Sequence, residues 1–423
     1  MAKRKQQAAE LPLVAIDLGS SGIRAMAASR IGADMLHILA VEQSTKYPCT
    51  DRGVVVQTSN AGFMIGEVLR LMANRLNLPD LPTAFVLMGG RSMQIAQVFS
   101  KRDQVHKREV SQRLLEEMEV ECKTKIEKHN PGVSVLGLVP AYFKLDNVEQ
   151  ELPPEQDQRA ELVEAHYIAF VAHKELETAI QKSFDQAGKS IEKTFIRPDA
   201  LLSAFVASDG EEVLRQGCAV LDMGAQTTTL SIFKGNEYLY NKVVPQGGFH
   251  ITRVLEQQGI SLATAEKLKC QFGCASPDQV DKNLKLKVPA CAEVGGVWHV
   301  SRDELARTIF IKLEEILKPL FEALNTYGDR IKTLYITGGA SMLEGMQEYL
   351  QQKTLLNVIY GSHDTLLDST TDEQFLEPRY SALVGALILG ADYRDKHPNL
   401  PVQQPGILEK IQKQTEIIFT PQS

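Results

Sequence analysis

Short apolar runs broken by small polar turns set the rhythm of this chain. Val14-Ala15-Ile16 leads into Asp17-Leu18-Gly19-Ser20-Ser21-Gly22 and resumes at Ile23, Ala25 and Ala27, which predicts strand, tight turn, strand. The pattern returns at 219–232, where Ala219-Val220-Leu221 enters Asp222-Met223-Gly224-Ala225-Gln226-Thr227 and leaves through Leu230 and Ile232. A third run, Leu334-Tyr335-Ile336, ends on Thr337-Gly338-Gly339-Ala340 and opens what reads as a helix. Helical spacing covers 60–78 through Phe63, Ile65, Val68, Leu69 and Met72, and roughly 107–128 through Val110, Leu114, Met118 and Cys122. Pro79 and Pro82 separate the first of these from a strand at 84–88. From 89 to about 170 the pattern is that of a small α+β unit, with strands near 92–98, 134–146 and 160–168 and a polar loop at 149–160. Ser301, three residues before Glu304, is placed to cap a long helix. The longest apolar stretch, 382–391, is far short of the ~20 residues of a membrane span and predicts a buried helix.

The two Asp-x-Gly turns carry the chemistry. Gly19 and Gly22 allow close backbone approach, while Ser20 and Ser21 add hydroxyls to inward-pointing N–H groups, a combination suited to phosphate. Asp17, at the mouth, is placed to hold the waters of a Mg²⁺. One such turn is equally an ordinary surface hairpin. Two facing each other can clamp a polyphosphate, and a glycine turn at a helix N-terminus can close over the nucleoside.

Composition narrows the class without naming the chemistry. A chain of 423 residues exceeds a single core and predicts two lobes or more. Hydrophobic content of 43% with 23% charged residues is that of an ordinary globular protein, and a net charge of −7 argues against nucleic acid as the main partner. The six cysteines follow no disulfide framework and point to reduced thiols; Cys270 and Cys274 lack the second ligand pair of a zinc site. Residues 1–12 read as a disordered basic leader.

In order and spacing, the three turns resemble the phosphate-one, phosphate-two and adenosine motifs of the actin, Hsp70 and sugar-kinase superfamily. The unit at 91–170, with its Leu145-Asp146 turn and long polar loop, resembles the 1C subdomain by which the FtsA family differs from actin and MreB. The resemblance implies an α/β, two-lobed actin-like (ribonuclease H-like) fold with an FtsA-type 1C insertion. Its subdomains would be 1A at 13–90, 171–215 and 376–394, 1C at 91–170, 2A at 216–254 and 319–375, and 2B at 255–318. It implies ATP and Mg²⁺ as cofactors, held by Asp17, Gly19, Ser20, Ser21, Arg24, Asp222, Gly224, Gln226, Thr227, Glu266, Lys269, Gly338, Gly339 and Ala340, with Asp17 and Asp222 on the metal. Glu266 and Lys269, three apart on one predicted helix, would grip the nucleoside, although that spacing also suits a routine exposed ion pair.

Departures from the family pattern bear on turnover. Ala225, Gln226 and Thr229 stand where relatives carry glycines or a final Asp, and Gly22 stands where FtsA proteins carry Lys, with Arg24 as a substitute on the same strand face. In Phe195-Ile196-Arg197-Pro198-Asp199 an arginine occupies the place of a water-positioning Glu. Arg197 cannot accept a proton, so hydrolysis is expected to be slow or absent. The resemblance also implies an adaptor that binds the FtsZ C-terminal peptide through 2B, meets later division proteins through 1C, forms filaments and sits on the cytoplasmic face of the inner membrane at the division site. After a linker at 395–405, Ile407, Leu408, Ile411, Ile418 and Phe419 share one face of an amphipathic helix at 406–420, the expected anchor. The alternatives are a PilM-like adaptor of a membrane assembly and, less consistent with the insertion, a small-molecule kinase.

Overall fold

The computed structural model describes residues 11–398 apart from 33–34, 92, 151–152, 156, 236 and 290–294. Residues 1–10 of the basic leader and the anchor residues Ile407, Leu408, Ile411, Ile418 and Phe419 lie outside the described residues, whereas Leu11 and Pro12, expected in the disordered leader, are held by Arg394, which donates to their carbonyls. Two lobes are built on one plan. In the first, β1 (Leu13–Gly19), β2 (Gly22–Ile31) and β3 (Met35–Ser44) form an antiparallel meander. A small hairpin of β4 (Thr50–Asp51) and β5 (Val54–Val55) follows, then α1 (Thr58–Arg75) and β6 (Thr83–Met88), parallel to β1. With a later strand, β11 (Ser190–Ile196), the order in the finished sheet is β11-β6-β1-β2-β3.

Between β6 and the last strand of that sheet the chain inserts a four-stranded antiparallel sheet. It comprises β7 (Gln94–Glu109), β8 (Val133–Leu145), β9 (Val148–Gln150) and β10 (Arg159–His173), with α2 (Gln112–His129) on one face. Met118 and Cys122 of α2 meet Phe143, Val163 and Tyr167 there. One sequence expectation is corrected here. Residues 107–109 are strand, because β7 pairs with β10 as far as Glu109 and the helix begins only after Ser111, whose side chain caps Leu114 N. The strand predicted near 134–146 is β8, which continues past Pro140 through a bulge opposite His166 and Tyr167, where a missing N–H is tolerated. The Leu145-Asp146 turn is a tight hairpin with positive φ at Asp146 and Asn147.

The chain returns through α3 (Lys174–Gln186) and β11 (Ser190–Ile196), then crosses by α4 (Arg197–Asp209) and α5 (Glu212–Gln216). The second lobe repeats the meander with β12 (Cys218–Met223), β13 (Thr228–Lys234) and β14 (Glu237–Val244), followed by α6 (Gly248–Glu256). A smaller unit of α7 (Leu262–Phe272) and the hairpin β15 (Lys285–Pro289) and β16 (Val297–Ser301) precedes α8 (Arg302–Tyr327). Ser301 caps α8 in a reciprocal pair with Glu304, as its spacing predicts. β17 (Thr333–Thr337), α9 (Met346–Thr354) and β18 (Asn357–Tyr360) complete a sheet ordered β14-β13-β12-β17-β18, and α10 (Ser381–Lys396) recrosses to the first lobe. Gly339–Met342 is a single 3₁₀ turn rather than the start of a longer helix, since α9 begins only at Met346.

One continuous core joins the lobes at their base: Phe85 from the first, Phe170 from the insertion, Phe205 from α4, Tyr238 and Tyr335 from the second, and Leu383 and Leu387 from α10. Phe205 stacks on Tyr335 with centroids 4.8 Å apart, a contact worth ~0.5–1.5 kcal/mol beyond its buried area. Above it, His363 is fully buried, with Nε2 2.9 Å from the Phe375 carbonyl and Nδ1 3.1 Å from Ser381 Oγ at the start of α10. Burial drives its pKa below the ordinary 6.5, so the unfolded chain takes up a proton that the folded chain refuses. His363 therefore contributes stability that is present above pH 6.5 and lost as pH falls below it. Melting temperatures of the parent and His363→Gln, compared across pH 5–8, are expected to diverge at neutral pH and converge at the acid end.

Candidate functional site

Each lobe presents the turn of its first hairpin to the same cleft. In β1–β2, Asp17 pairs in register with Arg24 and the turn is Gly19-Ser20-Ser21-Gly22. Thr50 Oγ1 donates to Gly19 O at 3.0 Å, and Gly53 N donates to Ser20 Oγ at 3.1 Å, so the β4–β5 hairpin braces it. In β12–β13, Gly224 N closes the turn on Thr227 O at 2.8 Å. The start of α6 docks on that turn, with Gly248 N on Gly224 O and Phe249 N on Ala225 O. The third turn follows β17 and is held to the approach of α10 by Thr337 Oγ1, which donates to Pro378 O at 2.7 Å. Its Gly338 has φ 86° and ψ 163°, a region essentially closed to other residues.

These turns surround a cavity of about 560 Å³, within the range of small-molecule sites. Every residue the sequence nominates lines it except Gln226. Gln226 faces across the cleft instead, its Oε1 accepting from Arg52 N at 2.7 Å, and links the two lobes at the mouth. The expectation that it holds the cofactor is corrected accordingly. On the far wall Lys269 Nζ donates to Glu266 Oε2 (2.8 Å), Thr252 Oγ1 (2.9 Å) and Gly248 O (3.1 Å). Desolvation pushes the Glu266 carboxyl up, but hydrogen bonds from Lys269 and Thr252 outweigh it and leave the group below its ordinary pKa. Leu262, Ala263, Phe249 and Arg379 complete the lining. Phe249 and Arg379 belong to no turn motif, and the sequence pattern does not single them out.

Arg197 stands between the two hairpins. It opens α4 just ahead of Pro198, and its guanidinium donates to Asp17 from Nη1 at 2.7 Å and to Asp222 from Nε at 2.5 Å. Desolvation alone would lower its pKa; the two carboxylates more than reverse that, and the group stays charged. A Mg²⁺ bridging Asp17 and Asp222 directly does not fit this arrangement. The position between Asp17 and Asp222 is filled by the guanidinium, which donates to both carboxylates. Among the described residues no group of three or more His, Cys, Asp or Glu side chains could hold a metal. The expectation of Asp17 and Asp222 as metal ligands gives way to an internal ion triad.

A nucleotide does fit. The paired glycine turns, the cationic Arg24, Lys269 and Arg379 and the apolar patch at Leu262 and Ala263 line one cavity, a combination of donors, charge and apolar surface compatible with a nucleotide. Asp222 Oδ1 is buried there with no hydrogen-bond partner among the described residues. Asp199 does not replace the missing general base: it is absent from the lining, and burial pushes its carboxyl up to about 7.

Residues 219–385, which hold the second hairpin, α7 and the glycine turn, match the family model of cell division protein FtsA. The chain is 31% identical over 224 residues to cell division protein FtsA of Rhizobium meliloti (strain 1021), covering 51% of this chain and 48% of that protein. It is 24% identical over 351 residues to FtsA of Enterococcus faecalis (strain ATCC 700802 / V583), covering 82% and 77%. Over this segment the chain is similar to the FtsA family, as a divergent sequence. The match spans about half the length of the first curated relatives. Among solved structures, the PilM-PilN type IV pilus biogenesis complex superposes with a TM-score of 0.66 at 16% identity, covering 89% of this chain and 98% of that one. MreB5 of Spiroplasma citri bound to ADP superposes at 0.53 with 11% identity, covering 92% and 99%. Both likenesses bear on fold: the chain has the two-lobed, actin-like α/β architecture. Among the described residues no helix is long and apolar enough to cross a membrane.

Proposed function

We propose that this chain is an actin-fold adaptor of cell division, which binds ATP between its lobes and couples the ring protein FtsZ to the cytoplasmic face of the inner membrane. The observation that carries the reading is the family match across the very segment that supplies half of the nucleotide cavity, in a chain whose first lobe bears an inserted α+β sheet. Nucleotide acts as a structural ligand in this reading. Loss of general-base help lowers turnover by ~10²–10⁴-fold, and Arg197 cannot give that help. Self-association into filaments multiplies weak contacts, so that single amphipathic tails carrying Ile407, Leu408, Ile411, Ile418 and Phe419 attach firmly in number. Later division proteins would meet the insertion, and the FtsZ peptide would meet the unit at 255–318.

A second reading, an adaptor of a pilus-type membrane assembly, draws support from the likeness that covers nearly the whole chain of the PilM-PilN complex. One experiment separates them. Labelled FtsZ C-terminal peptide from the same organism is mixed with the full chain, ATP and liposomes. Recruitment of peptide to the sedimenting liposomes is expected, and Ile411→Glu should abolish recruitment while leaving peptide binding in solution intact. A chain that binds no FtsZ peptide in solution would shift the weight to the second reading.

A further inference from the structure

The geometry points to Arg197 as a built-in replacement for the divalent cation of the cleft, so that this chain takes up a nucleoside polyphosphate without metal. The inference deepens the nucleotide reading above and rests on it for the ligand, though not for the cation. Two carboxylates converging on a phosphate site repel both each other and the incoming phosphates unless a cation stands between them. Here Asp17 and Asp222, 8% and 6% exposed, come from separate lobes and meet the same guanidinium at 2.7 and 2.5 Å.

The arginine is positioned by the backbone. Arg197 is the first residue of α4, where Pro198 fixes the helix start. Gly89, at the end of β6, clears its path: a Cβ there would stand 3.3 Å from Arg197 Cβ and 3.4 Å from its Cδ. Two of the five guanidinium N–H groups are used on the aspartates. The residue also lines the cavity, which leaves donors for phosphate oxygens. The charged lining comprises Arg24, Arg197, Lys269 and Arg379 against Asp17, Asp222 and Glu266, so the cleft is net cationic before any ion enters. A fixed guanidinium differs from a bound ion in one respect that can be measured: it does not respond to chelators.

The test uses the full chain with two readouts. Without nucleotide, the parent's melting temperature is expected to be the same in MgCl₂ as in NaCl of equal ionic strength, whereas Arg197→Gln, left with two facing carboxylates, is expected to be stabilised by Mg²⁺ and to bind Mn²⁺ by electron paramagnetic resonance. With nucleotide, calorimetric affinity of the parent for ADP and ATP should agree within about threefold between EDTA and Mg²⁺, and Arg197→Gln should lose about tenfold or more in EDTA and regain it in Mg²⁺. A parent that gains about tenfold from Mg²⁺, or an Arg197→Gln protein indifferent to both metals, overturns the inference. Should Arg197→Gln fail to fold, the parent measurements and Arg197→Lys, which keeps a cation and should remain metal-independent, decide it. If neither nucleotide binds in either buffer, the nucleotide reading falls, and the metal response of the ligand-free proteins still decides whether Arg197 replaces the ion.

Discussion

Gly385→Val is expected to cost the chain its native fold. Gly385 lies inside α10 where that helix crosses α4, and a Cβ there would stand 1.7 Å from Ala200 O and 2.5 Å from Ala200 C. The obstacle is backbone of a second helix, so no rotamer change relieves it, and the two helices would have to part. They form the middle of the core shared by both lobes, with Ala200, Ala204, Leu383 and Leu387 all at or near zero exposure. Overpacking a core commonly costs ~1–3 kcal/mol where side chains can yield. Here, with backbone opposed to backbone, the cost should exceed about 4 kcal/mol, a large share of the ~5–15 kcal/mol that holds a typical domain. Soluble yield and thermal melting by circular dichroism read the outcome. Gly390→Ala, whose Cβ would meet the Phe85 ring rather than backbone, should be milder. A Gly385→Val protein melting within a few degrees of the parent would contradict the close crossing.

The hairpins were legible in the sequence because everything that makes them is local. Alternating apolar positions, an acid and a run of small residues are enough to predict strand, turn and strand, and the recurrence of the pattern at 219–232 marks the duplicated lobe. The cavity residues on those turns follow, since a turn at the end of a central strand has one way to face. Gln226 escapes this logic: its long side chain reaches Arg52 in the other lobe, a contact set by how the lobes close.

Arg197 shows the limit more sharply. The sequence marks it as an arginine where an acid is expected and gives a negative conclusion, the loss of a base. Its positive role depends on two carboxylates from different sheets, brought to one guanidinium by a parallel strand, a helix start and a glycine with no Cβ to obstruct. The strand at 107–109 was hidden for a different reason. Its residues are charged and fit an exposed helix face as well as an exposed strand, and only pairing with β10 decides between them.

Gly338→Ala is expected to lower nucleotide affinity about 30-fold or more, equivalent to ~2 kcal/mol. At φ 86° and ψ 163° an alanine carries backbone strain of ~1–3 kcal/mol. Its Cβ would also stand 2.5 Å from Met223 O and 2.6 Å from Asp222 Oδ1, both on the neighbouring strand β12. The third turn must then move away from the second, which widens the cavity where the two meet and disturbs the carboxylate that holds Arg197. Gly339→Ala provides the control one residue along. A Cβ at 339 has nothing within 4 Å and φ is not positive, so its affinity should stay within about threefold of the parent. Calorimetric titration with ADP on both variants separates the two cases, and melting curves show whether each is folded. If Gly338→Ala binds as tightly as the parent, the glycine turn does not border the ligand, and the nucleotide lies elsewhere in the cleft.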